Sequence, residues 1–170
     1  LSLHDALPIC SKITYDKNYG NGSREINLVG EAYFDVVKNP AKPFIIHTPT
    51  INIRVLGTAF NVRCYPEEKN TETSLIRGSL EVSFKEGREK IILKPSEKLI
   101  VNNREISDSR AQVAEKSKVS SKHVFELSHV GLLPQDNTVI ETSWVYNRLV
   151  FSSETFEEIA SKMEKWRSEE

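Results

Sequence analysis

The chain has 170 residues, 28% charged and 38% hydrophobic, a balance that supports a buried core and excludes wholesale disorder. Lysine and arginine number 23 against 24 for aspartate and glutamate, so counterion release from a phosphate backbone has little to drive it and nucleic acid ranks low as a partner. No apolar run approaches the ~20 residues that a membrane-crossing helix needs.

The start, Leu1 to Ile9, has no basic n-region and only a broken apolar stretch, which does not read as a signal peptide. Its string looks like translated sequencing-adapter DNA. Residues 1–14 are therefore expected to be a disordered or artefactual N-terminus outside the fold. From Glu25 to Asn102 short runs alternate apolar and polar residues between turn signals, the signature of consecutive strands. Ile26 and Leu28 form one run before Gly30; Ala32, Phe34 and Val36 form the next before Asn39-Pro40. Ile51, Ile53 and Val55 stop at Gly57, read as a bend, after which Phe60, Val62 and Cys64 alternate with Asn61 and Arg63. Leu80, Val82 and Phe84 end near Gly87, Ile91 and Leu93 precede Lys94-Pro95, and Leu99 to Val101 closes the series. Residues 15–102 are thus expected to be a single all-β domain, solenoid- or sandwich-like, with Phe34, Ile53, Val55, Phe60, Val62, Leu80 and Val82 facing inward and helix nearly absent.

Residues 103–141 begin with a stretch rich in Ser, Lys, Glu and Arg and read as a linker or long loop. Thr142 to Phe151 reads as a short hairpin turning at Tyr146-Asn147. Beyond it Phe156, Ile159, Ala160, Met163 and Trp166 keep the spacing of an amphipathic helix, with Ser153 as its expected cap. Residues 142–170 are expected to be the start of a second, truncated α/β unit, with part of the helix's apolar stripe left uncovered.

Several segments in order resemble the FecR domain: Gly30-Glu31-Ala32-Tyr33-Phe34-Asp35-Val36, Pro43-Phe44-Ile45-Ile46, Val55-Leu56-Gly57-Thr58-Ala59-Phe60-Asn61-Val62 with Tyr65-Pro66, Ile76-Arg77-Gly78-Ser79-Leu80-Glu81-Val82, and Leu93-Lys94-Pro95-Ser96-Glu97. Ser96 stands where that family has glycine. Trp144 to Phe151 with Phe156 to Trp166 resembles the family's second periplasmic unit, which is STN-like, and Asn147 again replaces a usual glycine. The resemblance implies the periplasmic part of an anti-sigma factor anchored in the inner membrane. Such a part reads the signalling domain of a TonB-dependent outer-membrane receptor. It passes that state to an extracytoplasmic-function sigma factor through a cytoplasmic domain that is not in this sequence.

The residues supply no catalytic constellation. His4, His47, His123 and His129 have no metal-ligand spacing, Cys10 and Cys64 form no Cys-x-x-Cys, and no Gly-x-Ser-x-Gly or phosphate loop is present. Cys64 reads as a small buried thiol, and Glu67, Glu68, Glu157 and Glu158 as solvated faces. The expectation is a binding module, not an enzyme, with no cofactor and no metal, whose exposed partner contacts are Arg148 and Arg167. A carbohydrate-binding β-sandwich using Trp144, Tyr146 and Asn147 is the alternative; a small hydrolase on a β scaffold lacks candidate residues.

Overall fold

The computed structural model describes residues 11–17, 19–85, 90–103, 125–151 and 155–166. Among the described residues ten strands form a mainly β fold: β1 (Lys12–Tyr15), β2 (Arg24–Asp35), β3 (Phe44–His47), β4 (Ile51–Val55), β5 (Ala59–Cys64), β6 (Asn70–Arg77), β7 (Leu80–Phe84), β8 (Lys90–Leu93), β9 (Glu97–Asn102) and β10 (Phe125–His129). They hydrogen-bond in the order β10-β9-β6-β5-β2-β3-β4-β7-β8, with β1 on β2. All pairs are antiparallel except β2 with β3.

The sheet curls so that its two ends approach. Phe84 of β7 lies 5.7 Å from Phe125 of β10, ring centre to ring centre, and the Thr50 hydroxyl donates to the Thr71 hydroxyl at 3.0 Å. One apolar cluster fills the interior, and it contains every residue expected to face inward, from Phe34 to Val82. Each such side chain contributes about 1.5–3 kcal/mol relative to exposure. Phe34 is central, with its ring 5.3 Å from Phe60 and 5.7 Å from Phe44. Cys64 is a buried free thiol, and burial pushes its pKa up to about 12.

Curling requires corners. The two runs separated at Gly30 in the sequence are one continuous strand, β2, whose first half pairs with β1 and β3 and whose second half pairs with β5. Gly30 has φ +101°, and a Cβ there would stand 2.5 Å from the Ser11 hydroxyl. A side chain is excluded twice, by conformation and by space. The β6-to-β7 crossing turns at Gly78, φ +98°, against the carbonyl of Gly57, which marks the β4-to-β5 crossing. Between β8 and β9 the corresponding residue is Ser96, φ +70°, so the position where the family carries glycine is left-handed here too.

Other expectations shift. Lys12, Ile13 and Thr14, inside the stretch 1–14 expected to lie outside the fold, belong to β1, which pairs residue for residue with Ile26–Val29. The strand Phe125–His129 falls inside the expected linker, where it extends the sheet beyond β9. β6 escaped the residue pattern because two of its three inward positions, Thr71 and Thr73, are threonines. Their hydroxyls are satisfied by Asn103 Oδ1 at 2.9 Å and the Asn61 carbonyl at 3.1 Å. Leu1 to Cys10, Gly87, His123 and Ser153 lie outside the described residues.

After β10, Leu132 and Val139 make an isolated bridge. The expected hairpin at Thr142–Phe151 is instead a 3₁₀ helix, Ile140–Tyr146, followed by a turn. Hydroxyls of Thr142 and Ser143 bond back to the carbonyls of Val139 and Ile140, offering the backbone a local alternative to a strand ladder. Asn147 closes the helix in the left-handed conformation, φ 56°, which explains an asparagine at a glycine position. The amphipathic helix forms as expected as α1, Phe156–Trp166. Its cap is Thr155: the Glu158 amide donates to the Thr155 hydroxyl at 3.3 Å and Glu158 Oε2 accepts from the Thr155 amide at 2.8 Å, a capping box.

Candidate partner-binding surfaces

Of the two arginines expected to contact partners, Arg167 lies outside the described residues. Arg148 is half exposed and leads a double life. Its Nη1 donates to Asp136 and, at 3.2 Å, to the Thr138 hydroxyl, tying the end of the 3₁₀ helix to the preceding turn. The Thr138 hydroxyl and Arg148 together hold the exposed Asp136 carboxyl down to about 2. Beside it, Tyr33, Ile76, Thr138, Val139, Thr142 and Tyr146 line a shallow hollow of about 350 Å³.

The apolar residues of α1 form a second surface. Phe156 is 84% exposed and Met163 54%, and Phe151 and Tyr146 are also exposed nearby in sequence. Large apolar side chains left in water mark interaction sites more often than scattered single residues do.

A third region is polar. The outer face of β2, β5, β6 and β9 is roofed by residues between His129 and Val150 and by α1 with its cap Thr155, leaving a cleft of about 900 Å³. Strand alternation fixes its floor, because Phe60, Val62 and Cys64 point inward and so aim Asn61 and Arg63 outward, while pairing sets Glu31 directly opposite Arg63. Asn61 Nδ2 donates to Glu31 at 2.7 Å, and Arg63 stands 3.6 Å from the same carboxylate. Arg63 also grips Glu68 with two bonds, 2.8 and 2.6 Å. Lys165 of α1 completes the chain. Its Nζ bonds Glu68, lies 3.3 Å from Glu67, and stands 3.8 Å above the Tyr65 ring. Further along, Lys98 bonds Glu141 at 2.9 Å, and Glu141 accepts from the Gly131 amide.

Burial raises the pKa of Glu31, a rise only partly offset by Arg63 and Asn61. Burial pushes Glu68 the same way, but its bonds to Arg63 and Lys165 outweigh it and hold that carboxyl below the usual range. The expectation that Glu68 belongs to a solvated face is therefore corrected; Glu67, 63% exposed, fits it. Sequence reasoning placed Asn61 and Arg63 on the outer face but could not join them to Glu31, Glu68 and Lys165, because that takes the β2–β5 register and the docking of α1.

The sugar-binding alternative required an exposed ring at Trp144. That ring is half buried and its indole nitrogen is shielded from solvent, while Asn147 is engaged in closing the 3₁₀ helix. Among the described residues no group of three or more His, Cys, Asp or Glu side chains is placed to hold a metal ion.

Residues 6–81 match the family described as FecR protein, a match that begins inside the segment expected to be foreign. Curated proteins provide no match. Two crystal structures of a "putative anti-sigma factor" from Parabacteroides distasonis ATCC 8503, at 1.65 and 2.50 Å resolution, share the fold, each with a TM-score of 0.71 and 24% identity. The chain aligns over 95% of its length and spans 65% and 64% of those chains. The match over residues 6–81 runs from the N-terminal flank through the Gly30, Gly57 and Gly78 corners to β7, and over that stretch the chain is similar to the FecR family.

Proposed function

We propose that this chain is the periplasmic signal-relay part of a transmembrane anti-sigma factor, docking the signalling domain of a TonB-dependent outer-membrane receptor. The sigma factor would be held by a cytoplasmic domain outside this sequence. The FecR match carries the reading. The likeness to an anti-sigma factor's fold adds support, as does a scaffold whose distinctive features are surfaces. Relay by docking needs exposed contact residues, and α1 offers Phe156 and Met163 with Arg148 on the neighbouring 3₁₀ turn. This regulatory role involves no catalysis.

Calorimetry of the chain against purified signalling domains from TonB-dependent receptors tests it. A saturable complex with one of them is expected, weakened at least about tenfold by Phe156→Asp, the loss of one well-packed apolar anchor. Failure of every such domain to bind, or binding indifferent to Phe156→Asp and Arg148→Glu alike, would refute the docking claim.

A further inference from the structure

The polar face of α1 is held in an unusual way. Helices are normally attached to a sheet by their apolar stripe, but in α1 Phe156, Ala160 and Met163 are exposed and Ile159 is only partly buried. The side of α1 that meets the β unit instead carries Lys165, whose side chain is only 12% exposed. Its ammonium group sits between an aromatic face, Tyr65, and the carboxylates Glu67 and Glu68. We infer that Lys165 is a latch, and that α1 is a detachable strap with a docked state that roofs the cleft over Glu31, Asn61 and Arg63 and a released state that opens it.

Charge balance makes the contact switch-like. In the docked state Glu31, Arg63, Glu68 and Lys165 form an alternating chain of two anions and two cations, mostly shielded from water, with Glu72 also facing Glu31. Withdrawal of Lys165 leaves Arg63 as the cation facing Glu31, Glu68 and Glu72, a half-buried cluster with excess negative charge that is costly without water entering the cleft. The helix itself cannot resist release by its own stability, since eleven residues fall short of the ~12–15 that an isolated helix needs to be even marginal in water. Undocking and unwinding of α1 are therefore one event, in which the Lys165 contacts are the ones to be broken. The inference stands apart from the identity of any partner.

Amide exchange on the whole chain, comparing wild type with Lys165→Met and with Glu164→Gln, tests it. Methionine keeps the stem and nearly the same helix propensity as lysine, so any loosening reports the lost ammonium contacts. Lys165→Met is expected to speed exchange of the α1 amides about tenfold or more while β5 and β6 keep wild-type protection, the pattern of a local opening. Glu164→Gln, on the exposed side of the same helix, should leave the rates unchanged. Wild-type α1 exchange in Lys165→Met, equal loosening in Glu164→Gln, or loosening spread evenly through β5 and β6 would each overturn the latch.

Discussion

The two faces of the curled sheet are built on opposite principles. Inside, the contacts of the cluster around Phe34 and Phe60 are mainly apolar and non-directional, and its stability comes from area removed from water. Outside, between the sheet and α1, the contacts are directional and charged: a bidentate Arg63–Glu68 pair, a Glu31–Asn61 bond, and an ammonium over Tyr65. An interior of the first kind makes a permanent scaffold. An interface of the second kind contributes little net stability but can be undone by a single charge change.

The difference predicts where substitutions bite hardest. Phe60→Ala, in the centre of the apolar cluster, should cost about 3–5 kcal/mol of unfolding free energy through lost burial and a residual cavity, measurable by urea titration. A loss comparable to that of a surface residue would mean the core repacks. Gly30→Ala should come next, at about 1–3 kcal/mol, since it forces a left-handed alanine against Ser11 at the corner of β2. Because that corner also carries the Glu31 amide bond to Ser11, this variant should disturb both faces.

The same contrast governs how much was legible in the sequence. Alternation exposes an apolar interior directly, and Ile53, Val55, Phe60, Val62, Leu80 and Val82 were all readable because side-chain direction in a strand has a period of two. Alternation fails where the inward residues are polar, which hid β6 behind Thr71 and Thr73, and where a strand lies in a polar tract, which hid β10. The 3₁₀ helix was missed because Thr142 and Ser143 satisfy the local backbone, a competition between helix and strand that composition does not resolve. The polar interface was the least legible. Glu31, Arg63, Glu68 and Lys165 span more than 130 positions, and nothing in a one-dimensional pattern signals that such residues meet.

Ser96→Gly should act in the opposite direction to the core variants. A serine at φ +70° carries steric strain that glycine lacks, although glycine adds unfolded-state entropy; the net is an expected gain of up to ~1 kcal/mol, read as a higher urea midpoint. A lower midpoint would show that the serine side chain contributes more than its backbone strain costs.

The smallest effect sharpens the comparison most, because one residue should move the two faces in opposite directions. The pKa of Glu31 is raised in the folded protein, chiefly by burial, above its unfolded value near the ordinary glutamate range. A raised pKa means the native state holds the proton more tightly, so this residue's contribution to global stability is fully present below the unfolded pKa and is lost as pH rises through the folded one. Comparison with Glu31→Gln, which cannot titrate, should therefore show the wild type gaining relative stability as pH falls through the mildly acid range. The latch should respond the other way. Lys165, docked, lowers the proton affinity of the cluster it completes, so protonation of Glu31 favours the released helix, and α1 exchange in the wild type should accelerate over the same pH interval after correction for intrinsic rates. In Glu31→Gln the cluster carries one fewer negative charge to be balanced by Lys165, so α1 should be looser than in the wild type at neutral pH and its exchange less sensitive to pH. Parallel pH responses of global stability and α1 protection would show that the two faces are not separable and that Glu31 serves the core alone.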